Sequence, residues 1–323
     1  MNRVNEFVVL IFVFVFLGSQ AWAKVPAFKG KLVSSALIID LESGRSKIVR
    51  KPTADGRVRN SLLSPDGQIL AFRYELNPDS NNHSDGELRI LDLKTYEETP
   101  LFRDKWGFDF EWSPDSKFLI YKRATVPFGV KIFQIRTFNQ WDLDLSSPGF
   151  KGVGNLKWEK DGETITYGAG IAGTENQGGY YRIKLGEKES TFITLLPSYI
   201  MGEVLSPDDT MVAFTTFKDT DLFIYDFKTD SVRTLGRTRK SAHFPFWSPD
   251  GQWVGVELSN DIGQPWEVVA WNLPTGKKRA LPTEGWENNQ WWYPQTESPV
   301  DCEKIILNRL GPGKKLTEAE ILK

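Results

Sequence analysis

The chain has 323 residues, 40% hydrophobic and 25% charged, which is ordinary globular composition and enough for one large domain or two modest ones. Its formal net charge of −2 provides no basic field, which excludes electrostatic capture of nucleic acid or of an anionic membrane. One cysteine, Cys302, excludes an intramolecular disulfide.

The first element is a targeting segment. Arg3 sits in a short n-region, an apolar run spans Phe7 to Leu17, and small residues stand at Ala21 and Ala23. This is the pattern of a secretory signal peptide over residues 1–23, cut after Ala23, so that the mature domain spans 24–323. The run is about half of what a bilayer span needs. Retention as an anchor is the alternative, and no later apolar segment is long enough to cross a membrane. A secreted chain without disulfides fits the bacterial periplasm.

Next comes Ala36–Gly44, ALIIDLESG, which reads as a third strand and its turn with no first or second strand before it. A repeat then begins. LSPDGQILAF from Leu63, WSPDSKFLIY from Trp112, WEKDGETITY from Trp158, LSPDDTMVAF from Leu205 and WSPDGQWVGV from Trp247 share one phrase. Asp66, Asp115, Asp161, Asp208 and Asp250 lie 49, 46, 47 and 42 residues apart. A fixed period of this length sets the whole fold. In each unit Pro presets φ for a turn, Asp can bond a backbone N–H, and Gly accepts a positive φ on exit. Alternating apolar residues follow at period two, the spacing of strands. Third strands are expected at Leu88–Thr95, Leu222–Asp230 and Val268–Gly276, and a fourth at Ser231–Leu235.

A degraded sixth copy starts at Trp292, and Cys302–Leu310, CEKIILNRL, is expected to be its second strand. The two chain ends would then share one blade and close the ring, pairing edges that would otherwise be exposed. The expected fold is all-β, a six-bladed propeller of four-stranded blades. The tail 311–323 departs from the pattern: Gly-Pro-Gly breaks the strand, and Thr317 could cap a short helix over 316–322, with Glu320 completing a capping box.

These repeats resemble the TolB-like propellers, whose unit is W-S-P-D-G followed by an apolar strand, and the resemblance covers nearly the whole mature chain. It implies the fold and says little about activity. TolB-type proteins carry an N-terminal α/β domain, for which the stretch after Ala23 leaves no room. A role in the Tol–Pal system is therefore not implied, whereas a periplasmic or envelope protein or peptide as partner is. Related propellers gate prolyl oligopeptidases, which need a Gly-x-Ser-x-Gly elbow absent from this sequence. Others are oligogalacturonate lyases with a histidine-rich metal site, and this chain has only His83 and His243. No catalytic residue, metal ligand or cofactor is assigned, although a carboxylate site stays open.

His83, in the loop from Asn77 to Glu87, reads as part of a solvated hairpin, with an incomplete calcium loop as the alternative. Cys302 reads as a small buried hydrophobe in a strand. The repeat residues Trp112, Trp158, Trp247 and Trp292 are expected to pack between sheets, and Trp141 and Trp266 to be exposed. Six residues before the repeat aromatic stand Arg57, Trp106, Gly152, Tyr199, Ser241 and Trp286. Aromatics occur at alternate blades there. Three positions further on, Asn60, Asp109, Asn155 and Asn289 are polar. Trp106, Tyr199 and Trp286, with Asn60, Asp109, Asn155, Asn289 and His243, are the candidate ligand-binding set at the channel mouth. A plug of inward-folded aromatics is the structural alternative. The expected function is non-catalytic binding of a protein or peptide, with a carbohydrate-binding or carboxylate-using, carbohydrate-active propeller as the second reading.

Overall fold

The computed structural model describes residues 30–34, 37–43, 45–50, 56–76, 86–104, 108–123, 129–145, 150–171, 178–196, 200–216, 221–237, 240–258, 267–281, 290–292 and 300–317. The expected signal segment 1–23, His83 and Trp266 lie outside these residues. No helix among the described residues is long and apolar enough to cross a membrane.

The first three strands are β1 (Lys31–Ser34), β2 (Leu37–Asp40) and β3 (Ser46–Ile48). Five antiparallel blades follow in chain order. Blade 1 is β4 (Gly56–Leu63), β5 (Ile69–Leu76), β6 (Gly86–Asp92) and β7 (Glu98–Asp104). Blade 2 is β8 (Phe108–Trp112), β9 (Phe118–Arg123), β10 (Gly129–Gln134) and β11 (Asn139–Leu143). Blade 3 is β12 (Phe150–Trp158), β13 (Thr164–Ile171), β14 (Gly178–Lys184) and β15 (Thr191–Leu196). Blade 4 is β16 (Ile200–Leu205), β17 (Met211–Thr216), β18 (Leu222–Asp226) and β19 (Ser231–Gly236). Blade 5 is β20 (Ala242–Trp247), β21 (Trp253–Leu258), β22 (Glu267–Asn272) and β23 (Lys278–Leu281).

β24 (Gln290–Trp292) then pairs with β1, placing Lys31 opposite Trp292, and the sixth sheet has the order β24-β1-β2-β3. β24 also lies against β4 and β20, so the ring closes into a six-bladed propeller. The apolar cores are the seams between blades. Trp112, Trp158 and Trp247 are all buried there, as their repeat position implies.

One turn chemistry recurs. In blade 5, Ser248 Oγ accepts the amide of Trp253 at 2.9 Å and donates to Asp250 Oδ1 at 2.6 Å, and Asp250 Oδ1 accepts the amide of Gln252 at 3.0 Å. The same three bonds form around Ser64 and Asp66, Ser113 and Asp115, and Ser206 and Asp208. The residue after the Asp has positive φ in every copy: Gly67 at 73°, Gly162 at 74°, Gly251 at 68°, and also Ser116 at 62° and Asp209 at 59°. Blade 3 lacks the serine. Its Asp161 still accepts the amides of Glu163 and Thr164, at 2.9 and 2.8 Å, and the buried Glu159 takes the serine's place by bonding Thr166 and Arg182.

Closure divides the shared blade one strand to three, not two to two. Lys31–Ser34 fills the second-strand place, and the second strand expected at Cys302–Leu310 is instead helix α1 (Cys302–Leu310). The physical reason is spacing. Buried Cys302 and Ile306 stand four residues apart with Ile305 and Leu310 packed beside them, which is the stripe of a helix. Asp301 caps it, accepting the Lys304 amide at 3.2 Å. α1 lies across the turns of blades 2 and 3, where Cys302 N donates to Asp115 Oδ2 at 3.2 Å and Arg309 pairs with Glu163 at 2.7 Å. Cys302 is therefore a buried hydrophobe on a helix. Burial, and then the charge of Asp115, pushes its thiol up to about 12, so it stays protonated and unreactive.

The tail continues onto blade 2. β25 (Lys314–Lys315) pairs with Asn139 and Gln140 of β11 as a fifth strand. Trp141, expected at the surface, is buried beneath it, and its indole N–H donates to Gly311 O at 2.8 Å. A Cβ on Gly313 would stand 2.6 Å from the Trp141 ring, so this position requires glycine. Leu316 is not helical; its amide bonds Phe138 O at 3.0 Å, and residues 318–323 lie outside the described part.

Ser248 is 1% exposed. Ser248→Ala leaves the Trp253 amide without its partner and removes one of the two donors to Asp250 Oδ1, a loss of about 1–3 kcal/mol in denaturant unfolding. An unchanged midpoint would show that the turn bonds do not contribute to the stability of the ring.

Candidate functional site

Six inner strands, one per blade, surround the channel, and several of them bulge. Register shifts fall between Arg59 and Leu62 on β4, Gly154 and Lys157 on β12, and His243 and Phe246 on β20. The bulged residues are Asn60, Asn155 and Phe244, with φ of 44°, 51° and 44°. All three stand three residues before the repeat aromatic or leucine. Asparagine enters this left-handed region readily, which explains why the polar residues fall at that position. A bulge re-aims side chains and is common beside functional sites. Asn155 is exposed, and Phe244 is 41% exposed. Phe244 has the bulky type of side chain that pays most for a positive φ, a strain of about 1–3 kcal/mol. On blade 4, Gly202 makes room for this bulge: a Cβ there would stand 3.2 Å from Pro245 Cδ and 3.5 Å from the Phe244 backbone.

Of the eight residues proposed from sequence, Trp106, Tyr199, Trp286 and Asn289 lie outside the described part, so their place at the mouth is not addressed. Asn60, Asp109, Asn155 and His243 all lie on inner strands. Asp109 and Asn155 come together. Asp109 Oδ2 accepts the Leu156 amide at 3.4 Å, and the Asn155 side chain bonds Glu203 of blade 4. His243 stands on blade 5 beside Phe244, ring centroids 6.1 Å apart, and opposite the buried Glu257 in the cross-strand register. Burial lowers the His243 pKa. Asn60 stands on blade 1 at its own bulge.

The sequence reading missed Glu111, Glu203 and Phe244. Glu111 and Lys157 occupy the same repeat position in consecutive blades and pair at 3.4 Å. Opposite charges at equivalent inner-strand positions were a readable signal. Glu203 stands where blades 2 and 3 have Phe110 and Leu156, and a Cβ on Gly168 would collide with its carboxylate. Burial raises the carboxyls of Asp109 and Glu111, against the opposing pull of the Leu156 amide on the first and Lys157 on the second. Burial is also the main cause that pushes Glu203 up to about 7; the Asn155 bond opposes it and the Asp109 charge adds to it. At neutral pH Glu203 is divided between a donor and an acceptor form.

A second polar group lies in the seam of blades 3 and 4. Arg182 Nε bonds Glu159 at 2.5 Å and its terminal nitrogen bonds Asp209 O at 3.3 Å. Burial first, and then the Glu159 charge, pushes Asp209 up to about 6. Tyr180, fully buried, has its hydroxyl pKa raised by burial and then by Glu203 and Glu159, which ties this seam to the channel wall. Among the described residues, no three His, Cys, Asp or Glu side chains are grouped so as to hold a metal ion.

No protein-family model and no curated protein matches this sequence. Solved structures do match. TolB from Acinetobacter baumannii aligns at TM-score 0.65 and 18% identity over 82% of this chain and 67% of its own. A putative TolB from Agrobacterium tumefaciens aligns at 0.58 and 16%, over 78% and 88%. An oligogalacturonate lyase in complex with manganese aligns at 0.57 and 14%, over 75% and 72%. The class of protein is thus a β-propeller, and its fold is the TolB-like six-bladed form. Identity this low establishes the fold alone.

Glu203 yields a pH test. Its folded value of about 7 exceeds the ordinary 4.5, so the folded state holds a proton that the unfolded chain loses. A destabilising contribution therefore appears as pH rises from 4.5 to about 7 and persists above. Glu203→Gln keeps the bond to Asn155 and removes the charge. The variant is expected to be more stable than the parent at pH 8 by on the order of 1–3 kcal/mol, with the difference shrinking towards pH 4.5. Thermal melts at the two pH values check it, and a gap that does not change between them would refute the assignment.

Proposed function

We propose that the protein is exported, with residues 1–23 as a signal peptide and 24–323 as the mature propeller, and that it binds a periplasmic or envelope protein through a peptide segment at its channel mouth. The observation supporting this is Phe244. An aromatic that is 41% exposed and held at positive φ on an inner strand costs folding energy, and such strain clusters at ligand clamps. Beside it on the wall are side chains that can donate and accept: His243, Asn155, Glu203 and Asp109. A rigid aromatic supplies contact area, and the amide and carboxyl groups supply direction for a peptide backbone. Trp106, Tyr199, Trp286, Asn60 and Asn289 belong to the same proposed rim.

The test is capture from a periplasmic extract by the purified mature chain. Phe244→Ala should weaken capture about tenfold or more, as for loss of a buried interface anchor worth about 2 kcal/mol, without lowering the melting temperature. Undiminished capture by the variant would overturn the assignment of Phe244. Tryptophan quenching by defined saccharides, with no protein captured, would replace this reading with a carbohydrate-binding one.

A further inference from the structure

Blade 1 carries two arginines on its inner strand. Arg57 and Arg59, two residues apart on β4, both direct Nε to one oxygen, Glu75 Oε2, at 2.6 and 3.0 Å. Glu75 is opposite Arg57 on β5, and its side chain is 2% exposed. Burial alone would raise its carboxyl, but the bonds from Arg57 and Arg59 hold it below the usual range, so it is a fixed anion. Both guanidiniums thus share this one carboxylate.

Arg57 is the exposed member, at 35% against 18% for Arg59. Among the described residues, Nε is the one guanidinium nitrogen of Arg57 with a partner. Anchoring through Nε fixes the plane of the group and leaves its two terminal nitrogens for another acceptor. Their parallel N–H bonds match the two oxygens of a carboxylate. Val58 and Tyr74 pack towards the closing blade with Val33. By strand alternation, Arg57, Arg59 and Glu75 face blade 2 instead. Asp109 and Glu111 stand on the inner strand of blade 2 and Glu203 on that of blade 4.

The geometry points to Arg57 as the recognition group for a carboxylate on the bound peptide, either an acidic side chain or the chain terminus. This rests on the peptide-binding reading and deepens it. Glu75 acts as a positioning residue that orients the guanidinium.

The test uses the full chain and three acetylated peptides of one sequence: a free C-terminal carboxylate, an amidated end, and an amidated end with an internal glutamate. The readout is the Nε–H resonance of Arg57 during titration. Saturable shifts with the two carboxylate peptides and none with the amidated one are expected. Arg57→Gln should weaken binding of the carboxylate peptides at least about tenfold, because a bidentate charge-assisted pair is lost. Its melting temperature should stay near the parent's, since Arg59 still holds Glu75. Equal response to the amidated peptide, or tighter saturation by galacturonate or inorganic phosphate, would overturn the proposal. So would Arg57→Gln melting as low as Glu75→Gln, which would make the arginine structural. The two readings fail separately: capture of a protein partner that Arg57→Gln leaves intact sinks this inference alone, whereas an extract that yields no partner leaves the peptide titration unaffected.

Discussion

The ring depends on a serine hydroxyl that bonds in two directions at the corner of a blade. It accepts the amide five residues on and donates to the aspartate two residues on, which in turn accepts the next free amide. These three bonds satisfy backbone amides where an inner strand reverses into the next, and all of them lie within the corner itself. The corner is local, so it can recur and tolerate change around it. Contacts between blades are then added at fixed offsets. Trp112 Nε1 donates to Leu62 O at 3.1 Å, and Trp247 Nε1 donates to Val204 O at 3.0 Å, each reaching the preceding blade at the same relative position. A corner set by sequence-local bonds thus fixes where an indole must stand, and the indole sets the spacing of sheets.

Closure uses different chemistry. The last blade has no Ser-Pro-Asp corner joining its first strand to its second, because those strands come from opposite ends of the chain. Those strands are joined by the β24–β1 pairing, and a charged clasp sits where the shared blade runs on into blade 1. Arg50, just after β3, pairs with Glu98 at 2.6 Å and places its guanidinium 4.1 Å from the centre of the Tyr74 ring. Arg89 lies 4.2 Å from the same ring and also pairs with Glu98. One aromatic between two guanidiniums, both bonded to one carboxylate, ties the segment after β3 to blade 1, while the chain ends themselves meet in the pairing of β24 with β1.

This difference explains what could be read from the sequence. The corners were legible because all their bonds lie within six residues, and six blades followed from counting them. The polar residues at Asn60 and Asn155 were legible as a ring of equivalent positions, but their reason is backbone conformation: they are residues that tolerate a left-handed bulge. Cys302–Leu310 was misread because a short apolar cluster fits either period; only the long-range partners Asp115 and Glu163 and the cap at Asp301 fix the helix. Trp141 was misread for a related reason. Its cover is a strand supplied from 170 residues away in sequence, and no local pattern announces that. Glu203 and Arg57 each stand where other blades have a different residue type. A charge that replaces an apolar residue on an inner strand is informative, but its meaning depends on which blade it faces.

Departures from the repeat gather beside the candidate site, and a single cause accounts for this. Blade 3 lacks the Ser-Pro phrase because Glu159 has taken the serine's place, and that glutamate also holds Arg182 against blade 4. Blade 4 puts Asp209 where a glycine would be cheapest, at φ 59°, and its side chain enters the same seam. Glu203 then lies one strand inward, and Tyr180 is influenced by the charges of all three. A repeat unit that served only the fold would keep the corner that costs least. These two blades instead carry an ion-paired corner, a strained aspartate and a buried carboxyl whose proton comes off near neutrality. Their shared feature is the polar seam between them, joined to Glu203 through Tyr180. The economy of the turn has been relaxed there, and Asp161 still accepts the Glu163 and Thr164 amides, so the blade 3 corner holds without the serine.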